Sequence, residues 1–86
     1  MRVVFTEPFK KDYEELPSKI QRVLNKALKF LIKNPRHPSL RIKKFPSTSI
    51  WYGRLSRAYR FTFQQSGEVV ILRRVGTHRI LDKERK

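Results

Sequence analysis

The spacing of apolar residues changes along the chain from a strand-like run to a helical period and then to alternation, and each change predicts an element. Residues 2–5 (Arg-Val-Val-Phe) are β-branched and aromatic, which predicts a short strand. Thr6 then offers an N-cap, and Glu7 and Pro8 suit a first helical turn. Phe9, Tyr13 and Leu16 follow at helical spacing, so a short helix should end at Leu16-Pro17. Ser18-Lys19-Ile20-Gln21 fits a capping box for a second helix. Ile20, Val23, Leu24, Ala27, Leu28 and Leu31 make one apolar stripe with lysines opposite, and Asn34-Pro35 ends it. Two helices meeting at a proline predict a helical hairpin.

Residues 36–49 are rich in Pro, Ser and basic residues, with Leu40, Ile42 and Phe45 as anchors, and read as an ordered loop or partly extended connector. Three strand-like runs follow at residues 50–55, 59–65 and 69–75, each rich in aromatic or β-branched residues. Ser56-Arg57-Ala58 and Ser66-Gly67-Glu68 between them look like tight hairpin turns. The tail, residues 79–86, is short and charged, either frayed or one helical turn. The order β-α-α-β-β-β predicts an α+β domain: a helical hairpin packed on one face of a small, mainly antiparallel sheet, with the other face open to a ligand. A chain of 86 residues supports one core, so residues 1–86 form a single domain.

Charge adds the first functional information. Twenty-one Lys and Arg oppose seven Asp and Glu, a net charge of +14. Between Leu16 and Gly67 there is no acidic residue, yet twelve cations occur there, from Lys19 through Arg36, Arg41, Lys43 and Lys44 to Arg60. Such a field attracts polyanions, through the sequence-independent phosphate term above all. The chain has no cysteine, and its two histidines are far apart, so neither a metal nor another cofactor is expected. No stretch has the length of a membrane span, and residues 1–6 lack the apolar core of a signal peptide. The expected location is the cytoplasm, away from any membrane.

Alternation in Tyr59-Arg60-Phe61-Thr62-Phe63 sends the aromatics to one face and Arg60 to the other. With the aromatics under the helices, Arg60 faces outward, and Arg54 lies across the hairpin from it. The last strand-like run leads to His78 at the end of the sheet. Two arginines and a histidine on one face make a plausible phosphodiester site. RNA is cut without metal when its own 2′-OH attacks the adjacent phosphorus. That route needs a base, an acid and cations around the phosphorane. Histidine serves as acid or base, and arginine forks match phosphate oxygens. Lys43 and Lys44, with Arg41 and Arg74, are candidates for the flanking backbone, and Tyr52, on the face of Arg54, for stacking on a base. His37 reads as a loop residue and Trp51 as packing.

Residues 50–63 (IWYGRLSRAYRFTF) and 70–78 (VILRRVGTH) resemble the RelE/ParE toxin superfamily, whose recurring features are a W-x-x-R-type strand, a Y-R-apolar-x-[FY] strand and a last strand ending in G-x-H or G-x-[RK]. The early Phe9-Lys-Lys-Asp-Tyr13 and the helix between Leu16-Pro17 and Asn34-Pro35 also fit, so the resemblance spans nearly the whole chain. It implies the β-α-α-β-β-β toxin fold. It also implies that Arg54 and Arg60 occupy positions that contact the scissile phosphate in RelE-like nucleases. His78 then sits where these enzymes carry a catalytic His or Arg, as in the YafQ-like branch. The chain departs from the pattern at three places. Tyr52 stands where some relatives have a lysine, residues 82–86 hold no counterpart of a late tyrosine, and Ser56-Arg57-Ala58 lacks the histidines and aspartate of YafQ-like enzymes.

The activity so implied is that of a type II toxin-antitoxin toxin: a metal-independent, ribosome-dependent mRNA endonuclease that inhibits translation. The implied partners are an acidic antitoxin, the ribosome and mRNA, with the free toxin a monomer. The alternatives are a ParE-like DNA gyrase inhibitor without nuclease activity and a non-catalytic RNA-binding toxin remnant.

Overall fold

Thr6 joins the first strand to the first helix and ties both to the sheet. The structure, a computed structural model, describes residues 2–35 and 37–84 apart from the side chain of Lys83; Arg36 of the connector and the last two residues of the tail lie outside the described residues. Strand β1 (Arg2–Phe5) runs parallel to β5 (Val69–Thr77) and ends at Thr6. The Thr6 hydroxyl donates to the Leu72 carbonyl at 2.8 Å and accepts from the Phe9 N–H at 3.4 Å. It therefore caps helix α1 (Glu7–Glu15) as the sequence predicts and fixes that cap on β5.

Helix α2 (Ser18–Lys33) keeps its expected stripe, with Leu24, Ala27 and Leu31 buried, but not its expected cap. The N-cap is Pro17, whose carbonyl accepts from Ile20 and Gln21 at 2.9 and 3.0 Å, with no side-chain cap. The helix thus begins one residue earlier than a Ser18 cap requires, so Ile20 rather than Gln21 stands at the third helical position. The Gln21 amide donates instead to the Tyr13 carbonyl at 2.8 Å, which ties α2 to the end of α1. Fully burying Leu24 and Leu31 is worth about 2 kcal/mol each, more than any cap on this helix supplies.

The sheet runs β1-β5-β4-β3-β2, with β2 (Lys43–Lys44), β3 (Ile50–Arg54) and β4 (Tyr59–Ser66) antiparallel to their neighbours. The hairpin between β4 and β5 turns at Gly67, whose φ of +59° favours glycine. Phe61, Phe63, Val70, Leu72 and Val75 face the helices and are almost wholly buried. The connector contains a 3-10 turn (Pro38–Leu40), and its Lys43-Lys44 segment is the edge strand β2, so short and so charged that it discourages pairing with another chain.

Two further features differ from the sequence expectation. The β4–β5 pairing steps from Thr62–Arg74 to Phe63–Leu72, which leaves Arg73 as the extra residue of a bulge. The bulge resets the alternation, so that Leu72 and Val75 are both buried, and β5 runs on to Thr77. The second difference is that the outer sheet face is not wholly open. The tail forms helix α3 (Arg79–Glu84), which folds back over β4 and β5. Its Glu84 accepts from Arg73 at 2.7 Å, Arg73 also donates to Gln64 at 2.8 Å, and Thr62 on that face is fully buried. Among the described residues no helix is long and apolar enough to cross a membrane.

Candidate active site

With α3 over β4 and β5, the uncovered part of the outer face lies along β2, β3 and the β3–β4 turn. Register places Arg54 opposite Arg60 there. Like charges facing across a ladder repel, and among the described residues neither arginine meets a carboxylate, since the ion pairs are Lys10–Glu7, Arg73–Glu84 and Arg74–Asp12. Backbone oxygens hold them instead. Arg60 Nη1 donates to the carbonyls of Ser56 at 2.6 Å, Tyr59 at 2.9 Å and Arg57 at 3.3 Å. Arg54 Nε donates to the same Ser56 carbonyl at 3.4 Å. Arg60 is half-buried and preset by the turn; Arg54 is exposed.

His78 is fixed against the same turn from the other side. Its N–H donates to the Ala58 carbonyl at 3.1 Å, and its own carbonyl accepts from Leu81 at 3.1 Å at the start of α3. The side chain is exposed. Together these groups line a groove of about 500 Å³, whose other walls are Arg41, Lys43, Tyr52 and the apolar Ile42 and Leu81. The Tyr52 ring is steadied by Phe45, 4.9 Å away between centroids. Among the described residues none that lines the groove is acidic, and four of them are cations. Such a cavity favours an anion.

Six of the eight residues singled out in the sequence therefore meet: Arg54, Arg60, His78, Arg41, Lys43 and Tyr52. Lys44 does not, because neighbouring strand residues point to opposite faces. Its Nζ lies 5.8 Å from the Trp51 ring centroid, and Trp51 is its partner in register. Arg74 does not either. Beyond Phe5 the edge of β5 has no β1 partner, and Asp12 of α1 takes that place. Its carboxylate accepts from Arg74 Nε at 2.7 Å, Arg74 Nη2 at 3.1 Å and the Val75 N–H at 3.1 Å. Those hydrogen bonds raise the Arg74 pKa above the ordinary arginine value, against a smaller opposing effect of burial. Asp12 and Glu84 are structural anchors that the sequence reading passed over; a carboxylate at helical spacing from Phe9 gives no sign of its distant partner.

No family model matches the chain, and no curated protein matches it in sequence. Solved structures do match it. YafQ from Escherichia coli superimposes with a TM-score of 0.78 at 16% identity, over 94% of this chain and 98% of that one. The YoeB/ParE toxin from Agrobacterium tumefaciens gives 0.76 at 19% identity, over 91% and 99%. The toxin in the RelB–RelE antitoxin-toxin complex from Methanococcus jannaschii gives 0.73 at 20% identity, over 96% and 99%. The chain has the RelE/ParE toxin fold. At these identities the likeness concerns backbone architecture, so the chemistry of this RelE/ParE-fold chain has to be argued from its own groove.

Among the groove residues Arg41 carries a further mark. It ends the 3-10 turn at φ 49° and ψ 49°, a left-handed conformation that costs a non-glycine residue about 1 kcal/mol. That turn brings Arg41 to the groove, which it lines together with Lys43 and Tyr52.

Proposed function

We propose that this protein is the toxin of a type II toxin-antitoxin system and acts as a ribosome-dependent mRNA endonuclease. The observation that carries the reading is the meeting of Arg54, Arg60 and His78 in one groove free of carboxylates. The RelE/ParE fold, shared with proteins described as toxins and solved with antitoxins, supports it. In the reaction the 2′-oxygen attacks phosphorus and the P–O5′ bond breaks, leaving a 2′,3′-cyclic phosphate and a 5′-hydroxyl. One proton leaves the 2′-oxygen and one arrives at the 5′-oxygen. Arg54 and Arg60 hold the phosphate and the charge that develops on it. His78 is the one groove side chain of a type that ordinarily titrates near neutrality, and it serves one of the two proton transfers.

The second transfer has no evident owner in the groove. A site this sparse suits a substrate oriented by something larger, and a chain of net charge +14 is drawn to ribosomal RNA at low salt. The same charge suits an acidic antitoxin, in the cytoplasm where both would be made. The deciding experiment adds the purified protein to a reconstituted translation system and maps mRNA 5′ ends by primer extension, with and without ribosomes. Cuts inside codons during translation alone are the expected result. Intact mRNA in both reactions would overturn the nuclease reading and direct attention to DNA gyrase.

A further inference from the structure

A second cavity, of about 310 Å³, lies between the connector after α2 and the strands β3 and β4, on the helix-side face that Trp51 and Phe63 share; Arg41 and Ile42, just before the edge strand β2, line both this cavity and the groove on the outer face. Its size is at the low end for ligand pockets, enough for one flat ring system rather than a chain. Trp51 and Phe63, register partners on β3 and β4, contribute apolar ring surface, and His37 faces the space from the connector. The His37 ring is itself stacked on Phe30 of α2, with centroids 4.5 Å apart and planes 24° from parallel.

The polar atoms are as constrained as the rings. The Ser39 N–H donates to His37 Nδ1 at 3.2 Å, and a backbone N–H cannot accept. The Ser39 hydroxyl, 2.7 Å from the same nitrogen, must then donate as well, so the neutral ring carries its proton on Nε2. Gln65 spends its amide nitrogen on the Gly67 carbonyl at 3.3 Å, which leaves its carbonyl oxygen as an acceptor. The cavity thus combines ring surface, one imidazole N–H donor, one amide acceptor and the guanidinium of Arg41, which at the β2 edge also lines the groove.

From this combination we infer that the cavity receives a single nucleobase of the RNA strand whose phosphate lies in the groove. The base stacks among Trp51 and His37, its edge meets the His37 Nε2–H and the Gln65 oxygen, and Arg41 holds the phosphate between the two subsites. The inference rests on RNA being the ligand of the groove. It gives His37 a role outside the chemistry: the ring selects where along a strand the protein sits.

The chain has one tryptophan, so its emission reports on this cavity. The test titrates the intact protein at low salt with a short single-stranded RNA, with the same RNA carrying one abasic ribose at successive positions, and with purine nucleoside monophosphates. Intact RNA should quench Trp51, and an abasic ribose at one position should remove the quench and weaken binding about tenfold. His37→Ala should reproduce that loss on intact RNA while leaving abasic RNA bound as before. His37→Asn, which keeps an acceptor for the Ser39 N–H, should behave the same way and shows that the loss is not a folding defect. Equal affinity and unchanged emission for intact and abasic RNA would overturn the base subsite and leave the groove reading standing. Quenching by a free monophosphate as strong as by RNA would overturn its place on the strand path. Failure of every RNA to bind would overturn the groove reading as well.

Discussion

Arg54 and Arg60 stand opposite one another in the β3–β4 ladder, and both donate to one acceptor, the Ser56 carbonyl, at 3.4 and 2.6 Å. Two guanidinium groups are thereby held close together without a counter-ion among the described residues. Coulomb repulsion across such a pair is relieved when a phosphate enters, so the geometry favours an anion before any chemistry begins.

The two arginines differ in how far the fold depends on them. Arg60 satisfies three turn carbonyls, and Arg60→Ala should cost about 1–2 kcal/mol in a urea titration as well as most of the cleavage. Arg54 is exposed with one long hydrogen bond, so Arg54→Ala should leave the urea midpoint nearly unchanged and still slow codon cleavage about a hundredfold. A large stability loss in Arg54→Ala would move it from the site to the scaffold.

His78 separates backbone from side chain. Its N–H and carbonyl, which fix the β3–β4 turn and open α3, survive in His78→Ala. The variant should therefore fold and bind ribosomes as before, with cleavage down about a hundredfold or more. Matching losses of ribosome binding and cleavage would make His78 a binding residue.

The Asp12–Arg74 pair is predicted to be purely structural. Asp12→Ala strands both the guanidinium and the Val75 N–H, and should lower stability by about 1–3 kcal/mol while the folded fraction binds RNA normally. The Arg74 pKa is raised, so this contribution is fully present below the ordinary arginine range and is lost only as pH rises through the still higher folded value. Urea midpoints of the native chain and Asp12→Ala should thus stay equally far apart between neutral and moderately alkaline pH.

The groove cations should be countable from salt dependence. With Arg41, Lys43, Arg54 and Arg60 on phosphates, the slope of log affinity for single-stranded RNA against log salt should be about −3. Arg41→Gly should make the slope shallower by about 0.7. It should also hold or raise the melting temperature, because glycine accepts the φ of 49° without strain.

Much of this was legible in the residues, and what was not has identifiable causes. The α2 stripe and the Thr6 cap are local signals, and local signals survived. The Ser18 box failed because Pro17 occupies the cap, which shifts the helix start and leaves Ile20 where the box needs Gln21. Arg73 and Arg74 look equivalent in sequence, yet the bulge sends one to Glu84 and the other to Asp12, partners 11 and 62 residues away. Lys44 was grouped with Lys43 because a strand of two residues has no periodicity to read, although a single step along a strand changes face. Helix α3 carries few apolar residues, and what holds it is tertiary: Ile80 buried beside Gly76, and Glu84 on Arg73. Arg54, Arg60 and His78 were readable because alternation sets the face of Arg60, the short hairpin puts Arg54 across from it and the last strand leads to His78; the resemblance added what each would do.

Gly53 ties the spacing of the two arginines to the core. A Cβ at this buried position would lie 2.5 Å from ring atoms of Phe61 and 2.9 Å from Ile42, and Phe61 is fully buried and cannot swing away. Gly53→Ala must therefore push β3 off β4 or displace Phe61, at a cost of about 1–3 kcal/mol or more. Arg54 follows Gly53 directly and Arg60 precedes Phe61, so any such shift is delivered to the Arg54–Arg60 pair. The variant should show a lowered urea midpoint together with a cleavage defect larger than its unfolded fraction accounts for. Phe61→Leu in the same chain makes room for the added methyl and should restore part of both. Cleavage that merely tracks the folded fraction in Gly53→Ala would mean that the Arg54–Arg60 spacing tolerates movement.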